Sequence, residues 1–535
     1  MMLKISTIAI LAWMIHTPAI AQESAPAKPW AEISKDFRCP QWFSDAKFGI
    51  WVHWGAQTQP AEGGGWYARH MYMTELGREQ WGKNAYPYHL KTYGHPSEKG
   101  FKDVIHAWKA DKLDADNLLA YFHGLGAKYF VALANHHDHF DNFASTHQPW
   151  NSVNVGPKRD IIGEFAAASK KIGMPFGVSS HDDRMLMYYE HAFDSDKSGP
   201  KAGVPYDGNL TKADGAGKWW DGLDPADLYG PPPAKRTAAW VAGMKHKWKL
   251  RHKELIDKYH PDMLWFDGSG FPYGAHGKEV CRYFYDLDAK DGKFDGVVAA
   301  KIPGERAVIK DIERGGAETI LPDTWQGTTT FTSWFYKTDR PVKHDARTVI
   351  EVLVDMISKN GNLLLNVELL PDGTIPPAHK AELDQVGRWV NLNAVAIHAS
   401  KPWVIFGDNL NSSSTKPEGG AIGEADPAAA TKTKKTADFN ERTLESPPYG
   451  HNEVRFTVSA GNTLHIIVLN PAEGEIVLPS LGRDSTHKVK AIQSIRLIGS
   501  DARIDFHQDG KALRLVVPAS RPTPHSAVFS VTGAL

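Results

Sequence analysis

Between about residue 42 and residue 398, short apolar runs alternate with amphipathic stretches, and this alternation limits the possible folds more than any other feature. Phe48 to His53 and Ala127 to Asn135 read as strands. Asp160 to Ile172 reads as a helix, with Ile161, Phe165, Ala168 and Ile172 on one stripe and Gly173 as its stop. Met174 to Ser180 is the next strand. Trp240 to Tyr259 forms a longer helix, with Val241, Met244, Trp248, Leu255 and Tyr259 on one face, and leads into a strand that ends at Asp267. Val349, Leu353 and Met356 mark a further helix, which Asn360-Gly361 ends before a strand from Leu363 to Val367. Strands buried on both faces read as near-continuous apolar runs, and a β-then-α order lays them parallel. The number of units favours an α/β fold of the TIM-like (β/α) barrel type over a doubly wound sheet.

Three of these strands end in residues that can do chemistry. His53 closes the first, His136-His137-Asp138-His139 the second, and Asp267 the strand Met263-Leu264-Trp265-Phe266. Polar residues at the C-terminal ends of barrel strands converge on one pocket. Asp267 alone could be a turn cap, but three such endings in succession are hard to assign to chance. The histidines allow three readings, one of them purely structural. Adjacent imidazoles supply donors and acceptors to the hydroxyls of a polar ligand. Alternatively His136, His137 and His139, with His147 nearby, could hold a metal that activates water.

The rest of the chain sets limits. A net charge of −1 gives no electrostatic reason to expect nucleic acid or an anionic membrane as partner. Lys4, the apolar stretch Ile5 to Ile15 and Ala19-Ile20-Ala21 form a secretory signal peptide over residues 1–21, so the mature protein is expected to be exported, periplasmic or extracellular. Export permits a disulfide between the two cysteines, Cys39 and Cys281, but the sequence does not settle whether they meet. The barrel is expected over residues 22–399, interrupted by a Gly-, Pro- and Asp-rich insertion at 184–235 that is either functional or poorly ordered. Residues 400–535 carry short alternating runs such as Val454 to Val458, Leu464 to Leu469 and Leu513 to Val517, which read as an antiparallel β-sandwich. A long polar excursion near 408–450 precedes most of them.

Five ordered segments then carry a specific resemblance. Trp42-Phe43 with Lys47-Phe48-Gly49-Ile50-Trp51-Val52-His53-Trp54-Gly55 and Trp66-Tyr67 comes first, followed by Asn135-His136-His137-Asp138 and Trp265-Phe266-Asp267-Gly268. Asn360-Gly361-Asn362-Leu363-Leu364-Leu365-Asn366-Val367 and Pro371-Asp372-Gly373-Thr374-Ile375-Pro376 complete the set. Over residues 40 to 405 the chain resembles the α-L-fucosidases of glycoside hydrolase family 29. The resemblance implies an exo-acting, retaining enzyme that releases terminal α-L-fucose from a fucosylated glycan, with no cofactor and no metal. It makes Asp267 the nucleophile, places His53, His136 and His137 on the ring hydroxyls, and lines the pocket with Trp66.

The chain departs from that pattern at the second carboxyl. Many family members carry a Glu after a Trp, twelve residues beyond a pocket Arg. Here Arg314 and Trp325 match, and Gln326 stands where the acid would be. The resemblance places Arg314, Trp325 and Gln326 beside the substrate, but an amide cannot donate a proton as a carboxylic acid does. Glu313 is the first candidate for the acid/base, with Glu318, Asp323, Glu62, Asp182 and Asp183 behind it. Gly65 stands where many relatives carry a Glu, and Ser179-Ser180-His181 where many have Tyr. The missing Glu leaves two alternatives open: a catalytically inactive fucose-binding protein on the same barrel, or a metal-dependent hydrolase built on the His136, His137 and His139 cluster.

Overall fold

The structure is a computed structural model that describes residues 29–410 and 449–535, apart from 289–293, 303, 339, 341, 343 and 344. The segment read as a signal peptide and most of the polar excursion lie outside the described residues.

Eight parallel strands close into a barrel. They are β1 (Phe48–Val52), β2 (Tyr129–Asn135), β3 (Phe176–Ser180), β4 (Met263–Phe266), β5 (Val297–Ala300), β6 (Ile309–Glu313), β7 (Trp325–Thr330) and β8 (Gly361–Asn366). β8 returns to β1 with Phe48 opposite Leu363 and Trp51 opposite Asn366, so no sheet edge remains. Every residue of β1, β2, β3, β4, β5, β7 and β8 is buried. Bulk inside the barrel is shared out between strands. A Cβ on Gly49 would lie 2.3 Å from the Tyr129 ring, so a large residue on β2 requires none on β1.

The outer helices begin and end where local chemistry dictates. Asp160 caps Ile161–Ile172 by accepting from the Gly163 N–H, and Gly173 stops it at φ 65°. Thr237 caps the long helix Ala238–Tyr259 through the Trp240 N–H. The insertion 184–235 folds against the barrel as a chain of short helical turns, burying Tyr206, Trp220, Leu228 and Tyr229. Its Asp207 accepts from Tyr72, Tyr229 and Lys102. Cys39 and Cys281 are both free thiols.

Beyond the barrel come β9 (Lys401–Asp408), β10 (Glu453–Ser459), β11 (Thr463–Leu469), β12 (Gly474–Leu478), β13 (Ser494–Leu497), β14 (Phe506–Gln508), β15 (Leu513–Val517) and β16 (Ala527–Thr532). They form two antiparallel sheets, ordered β13-β16-β11-β10-β9 and β12-β15-β14, around a core that includes Phe456, Ile466, Leu515 and Phe529. This is the β-sandwich expected for the C-terminal segment. A buried ion cluster fastens it to the barrel. Arg455 of β10 donates from Nε to Asp355 Oδ1 at 2.7 Å, on the helix Ala346–Ser358, and Lys359 Nζ donates to the same carboxylate at 2.8 Å. Trp389 Nε1 adds a bond to the Ser526 carbonyl at 2.8 Å.

Candidate active site

Six consecutive strands deliver polar side chains to one end of the barrel. His53 follows β1, His136 and His137 follow β2, His181 follows β3, Asp267 follows β4, Lys301 follows β5, and Glu313 with Arg314 closes β6. Asp267 is at the centre. Its Oδ1 accepts from Lys301 Nζ at 2.8 Å, and its Oδ2 lies 3.7 Å from His181 Nδ1, 3.8 Å from Arg184 Nη2 and 4.0 Å from His137 Nε2. Burial opposes ionisation of this carboxyl. Lys301, His181 and Arg184 outweigh it and hold Asp267 well below the usual carboxylate range. The chain turns away immediately at Gly268, with φ +92°, a conformation open to glycine and strained for other residues.

Lys301 also pairs with Glu313, so one ammonium serves two carboxylates. Burial works against its charge, but the two acids raise its pKa above the ordinary lysine value. The aliphatic part of Lys301 crosses Trp265, with Nζ 5.6 Å from the ring centre.

The imidazoles are neutral, and their partners set their tautomers. Burial is the main cause: it pushes His53 and His136 well below the ordinary value and His137 down to about 3. His53 Nδ1 meets the Asn366 Oδ1 at 3.1 Å, and His137 Nδ1 meets the His181 carbonyl at 2.5 Å. Both are therefore donors at Nδ1 and acceptors at Nε2. His136 is the reverse. Gln57 Nε2 donates to its Nδ1 at 3.0 Å, while the Gln57 Oε1 accepts from Tyr188, so the proton of His136 is on Nε2. Two acceptors and one donor in a cluster suit a ligand with several hydroxyls. His181 adds a buried Nε2 with no hydrogen-bond partner.

Aromatic rings wall this end. Trp66 packs 5.2 Å from His137 and 5.5 Å from Tyr188, Trp334 lies 4.8 Å from His53, and Phe335 lies 5.1 Å from His136. Arg314 covers Trp334 with its guanidinium 5.4 Å from the ring centre. Gly65 gives the space its shape: a Cβ there would come within 2.8 Å of His136 and 2.9 Å of Phe335. With these rings in place, no larger residue fits at position 65.

His53, Trp66, His136, His137, Asp267, Glu313 and Arg314, all singled out from sequence, therefore meet. Trp325 and Gln326 do not, which corrects their assignment to substrate binding. Both sit at the start of β7, at the opposite end of the barrel from Asp267. Trp325 Nε1 donates to the Lys359 carbonyl at 2.9 Å. Gln326 is fully buried in the interior, donating to Asp311 Oδ2 and accepting from Tyr129, both at 2.8 Å. The metal cluster of His136, His137 and His139 also fails to form. His139 faces the other way, with Nδ1 2.9 Å from Asp182, which is also paired with the buried Arg251. Among the described residues, two other groups have metal-ligand spacing, His53/His136/His181 and His137/Asp183/Asp267. The second already faces the cations Lys301 and Arg184, which disfavours a metal there.

Lys301, His181, Asp183 and Arg184 complete the site, and the sequence reading gave Lys301 and Arg184 no role. Lys301 carried the same signal as Asp267: the run Val297-Val298-Ala299-Ala300 ends abruptly in a charge.

A closed parallel barrel holding an ionised aspartate, neutral imidazoles and aromatic walls at its C-terminal end is the build of a carboxylate-dependent enzyme for polyhydroxylated ligands. Comparison with known sequences gives the family: the alpha-L-fucosidase profile matches residues 14–395, and the chain belongs to the alpha-L-fucosidase family. It is 28% identical to the tissue alpha-L-fucosidase of Rattus norvegicus over 68% of this chain and 71% of that one. With the Homo sapiens enzyme it shares 27% identity over 68% and 70%. The structure of Thermotoga maritima alpha-fucosidase superposes with a TM-score of 0.66 at 23% identity, covering 95% of this chain and 99% of that one. The protein is a glycoside hydrolase.

Proposed function

We propose that this chain hydrolyses terminal α-L-fucosides with retention of configuration, through a covalent fucosyl-enzyme formed on Asp267. Family membership supports the sugar, and one observation supports the mechanism: a half-buried aspartate kept ionised by Lys301 at the mouth of the barrel. In this reading an Asp267 oxygen attacks the anomeric carbon as the glycosidic C–O bond breaks. His53, His136 and His137 bind the ring hydroxyls in the acceptor and donor roles their tautomers allow, and Trp66 packs against the sugar. The substrate is a fucosylated glycan, and no metal takes part. The segment from Lys4 to Ala21 supports export to the periplasm or the medium.

Proton NMR during hydrolysis of an aryl α-L-fucoside tests this reading. The α-anomer of L-fucose should appear first, with the β-anomer following only by mutarotation. First release of the β-anomer would reject the covalent intermediate, and no release of fucose would reject the whole reading.

A further inference from the structure

Retaining hydrolysis requires a second carboxyl that is protonated when the first is not, and the two strongest candidates differ in what surrounds them. Glu313 is ion-paired with Lys301, and that ammonium stands between Glu313 and Asp267. The ammonium donates to Glu313 Oε2, so that oxygen serves as an acceptor. A glycosidic oxygen approaching Oε2 would also have to displace the ammonium. The others are placed less well. Asp182 is held by Arg251 and His139 inside the barrel wall, and Glu318 and Asp323 are exposed.

Asp183 lies two residues past the start of the loop after β3, with a carboxylate oxygen within 4.8 Å of both an Asp267 oxygen and a His137 nitrogen. Its Oδ1 is buried and has no hydrogen-bond partner. Arg184 reaches toward both acids, with Nε 3.9 Å from Asp183 and Nη2 3.8 Å from Asp267, each beyond hydrogen-bond length. The absence of a side chain on Gly268 keeps the space between the acids open, because a Cβ there would stand 3.1 Å from Asp183 Oδ2.

Resting on the fucosidase reading above, we infer that Asp183 is the general acid/base, and that Glu313 instead positions Lys301 against the nucleophile. Burial first, then the negative charge on Asp267, raises the Asp183 carboxyl to about 7. Other buried acids are also raised, Asp138 to about 7 and Glu368 to about 8, both mainly by burial. Those two accept backbone N–H bonds from Phe140 and from Thr332 and Ser333, which fix them in the wall.

In the first step the Asp183 proton passes to the leaving oxygen while the glycosidic C–O bond breaks and the Asp267 ester forms. That ester has no charge, so the repulsion that raised Asp183 disappears and its carboxylate becomes the favoured form. It then takes a proton from water, whose oxygen attacks the anomeric carbon. The ester C–O bond breaks, Asp267 recovers its charge, and the proton again resides on Asp183. One carboxyl is thus acid and then base without any movement of the chain.

Asp183→Asn tests the assignment, measured on phenyl α-L-fucoside and on α-L-fucosyl fluoride with and without azide. The expected result is a loss of about 100-fold or more on the phenyl substrate. kcat/KM on the fluoride, whose departure needs little protonation, should be largely kept while kcat falls for want of the base, and azide should restore that turnover as α-L-fucosyl azide. Less than tenfold loss on the phenyl substrate, or α-azide formed by Glu313→Gln and not by Asp183→Asn, would overturn it. So would a folded Asp183→Asn chain that is inactive on both substrates and not rescued. The unaltered enzyme gives an independent reading that needs no variant. Its kcat/KM on the phenyl substrate should fall above about pH 7, and a flat profile to pH 9 would count against Asp183. Absence of fucose release by the unaltered chain, or full activity in Asp267→Gly, would bring down the fucosidase reading itself.

Discussion

Asp267, half-buried, and Asp311, buried, are aspartates two strands apart in the same barrel, and their surroundings set them to opposite tasks. Asp311 accepts three bonds from neutral donors: Trp265 at 3.0 Å, Gln326 at 2.8 Å and Thr328 at 2.6 Å. Burial outweighs those bonds and lifts its carboxyl to about 6. Asp267 is half-buried, with 12% of its side chain exposed, but faces Lys301 and Arg184, and it stays ionised. Neutral donors are enough to hold a carboxyl in a core. Keeping it as a nucleophile takes a counter-charge. Trp265 serves both, since it hydrogen-bonds Asp311 and underlies Lys301.

The largest effect should come from Asp267→Gly, which should lower kcat/KM for an aryl fucoside by about four orders of magnitude or more, with little change in melting temperature. Comparable activity in this variant would erase the distinction between the two aspartates. Lys301→Gln comes next. Without the ammonium, the Asp267 carboxyl rises toward the normal range, so the acid limb of the kcat/KM profile should move to higher pH. The rate at its optimum should fall about 100-fold; an unmoved acid limb would show that Lys301 does not set the nucleophile.

Gln326→Glu restores the family's acid in sequence but places it against Asp311 in space. It should destabilise the fold by about 1–3 kcal/mol in denaturant titrations and leave kcat/KM of the folded enzyme within a few-fold of the parent. A large gain in activity would contradict the placement of β7. The smallest effect is a change of slope. A folded-state pKa raised above the unfolded value contributes stability below the unfolded pKa, and this is lost as pH climbs through the folded one. Asp311 should thus cost the fold stability between about pH 4 and about pH 6. Asp311→Asn should flatten the melting-temperature profile over that window, which calorimetry across pH can read.

Much of the barrel was legible because strands such as β1, β2 and β4 are nearly continuous apolar runs and its helices carry caps such as Asp160 and Gly173. β6 and β7 were not, for a physical reason. Ile309–Glu313 and Trp325–Thr330 line a polar stretch of the interior, so Asp311, Gln326 and Thr328 interrupt the apolar pattern by which a buried strand is recognised. The same omission misplaced Gln326. Spacing from Arg314 put it at the mouth, whereas register with Asp311 puts it near the floor. Asp267 and the histidines were legible because each ends an apolar run. Asp183 was named only behind Glu313, because the role proposed for it depends on distance to a residue 84 positions away, and on neighbours from other strands.

The Arg455–Asp355–Lys359 cluster has a consequence for anyone who would isolate the barrel. Cutting the chain near residue 400 would strip Asp355 of its arginine and leave a dry carboxylate with only Lys359, and it would also expose the surface that Ile467, Leu469 and Val528 now cover. The catalytic half was shaped with the sandwich as part of its own wall, so the two should melt together, resist limited proteolysis together, and be inherited as one indivisible module.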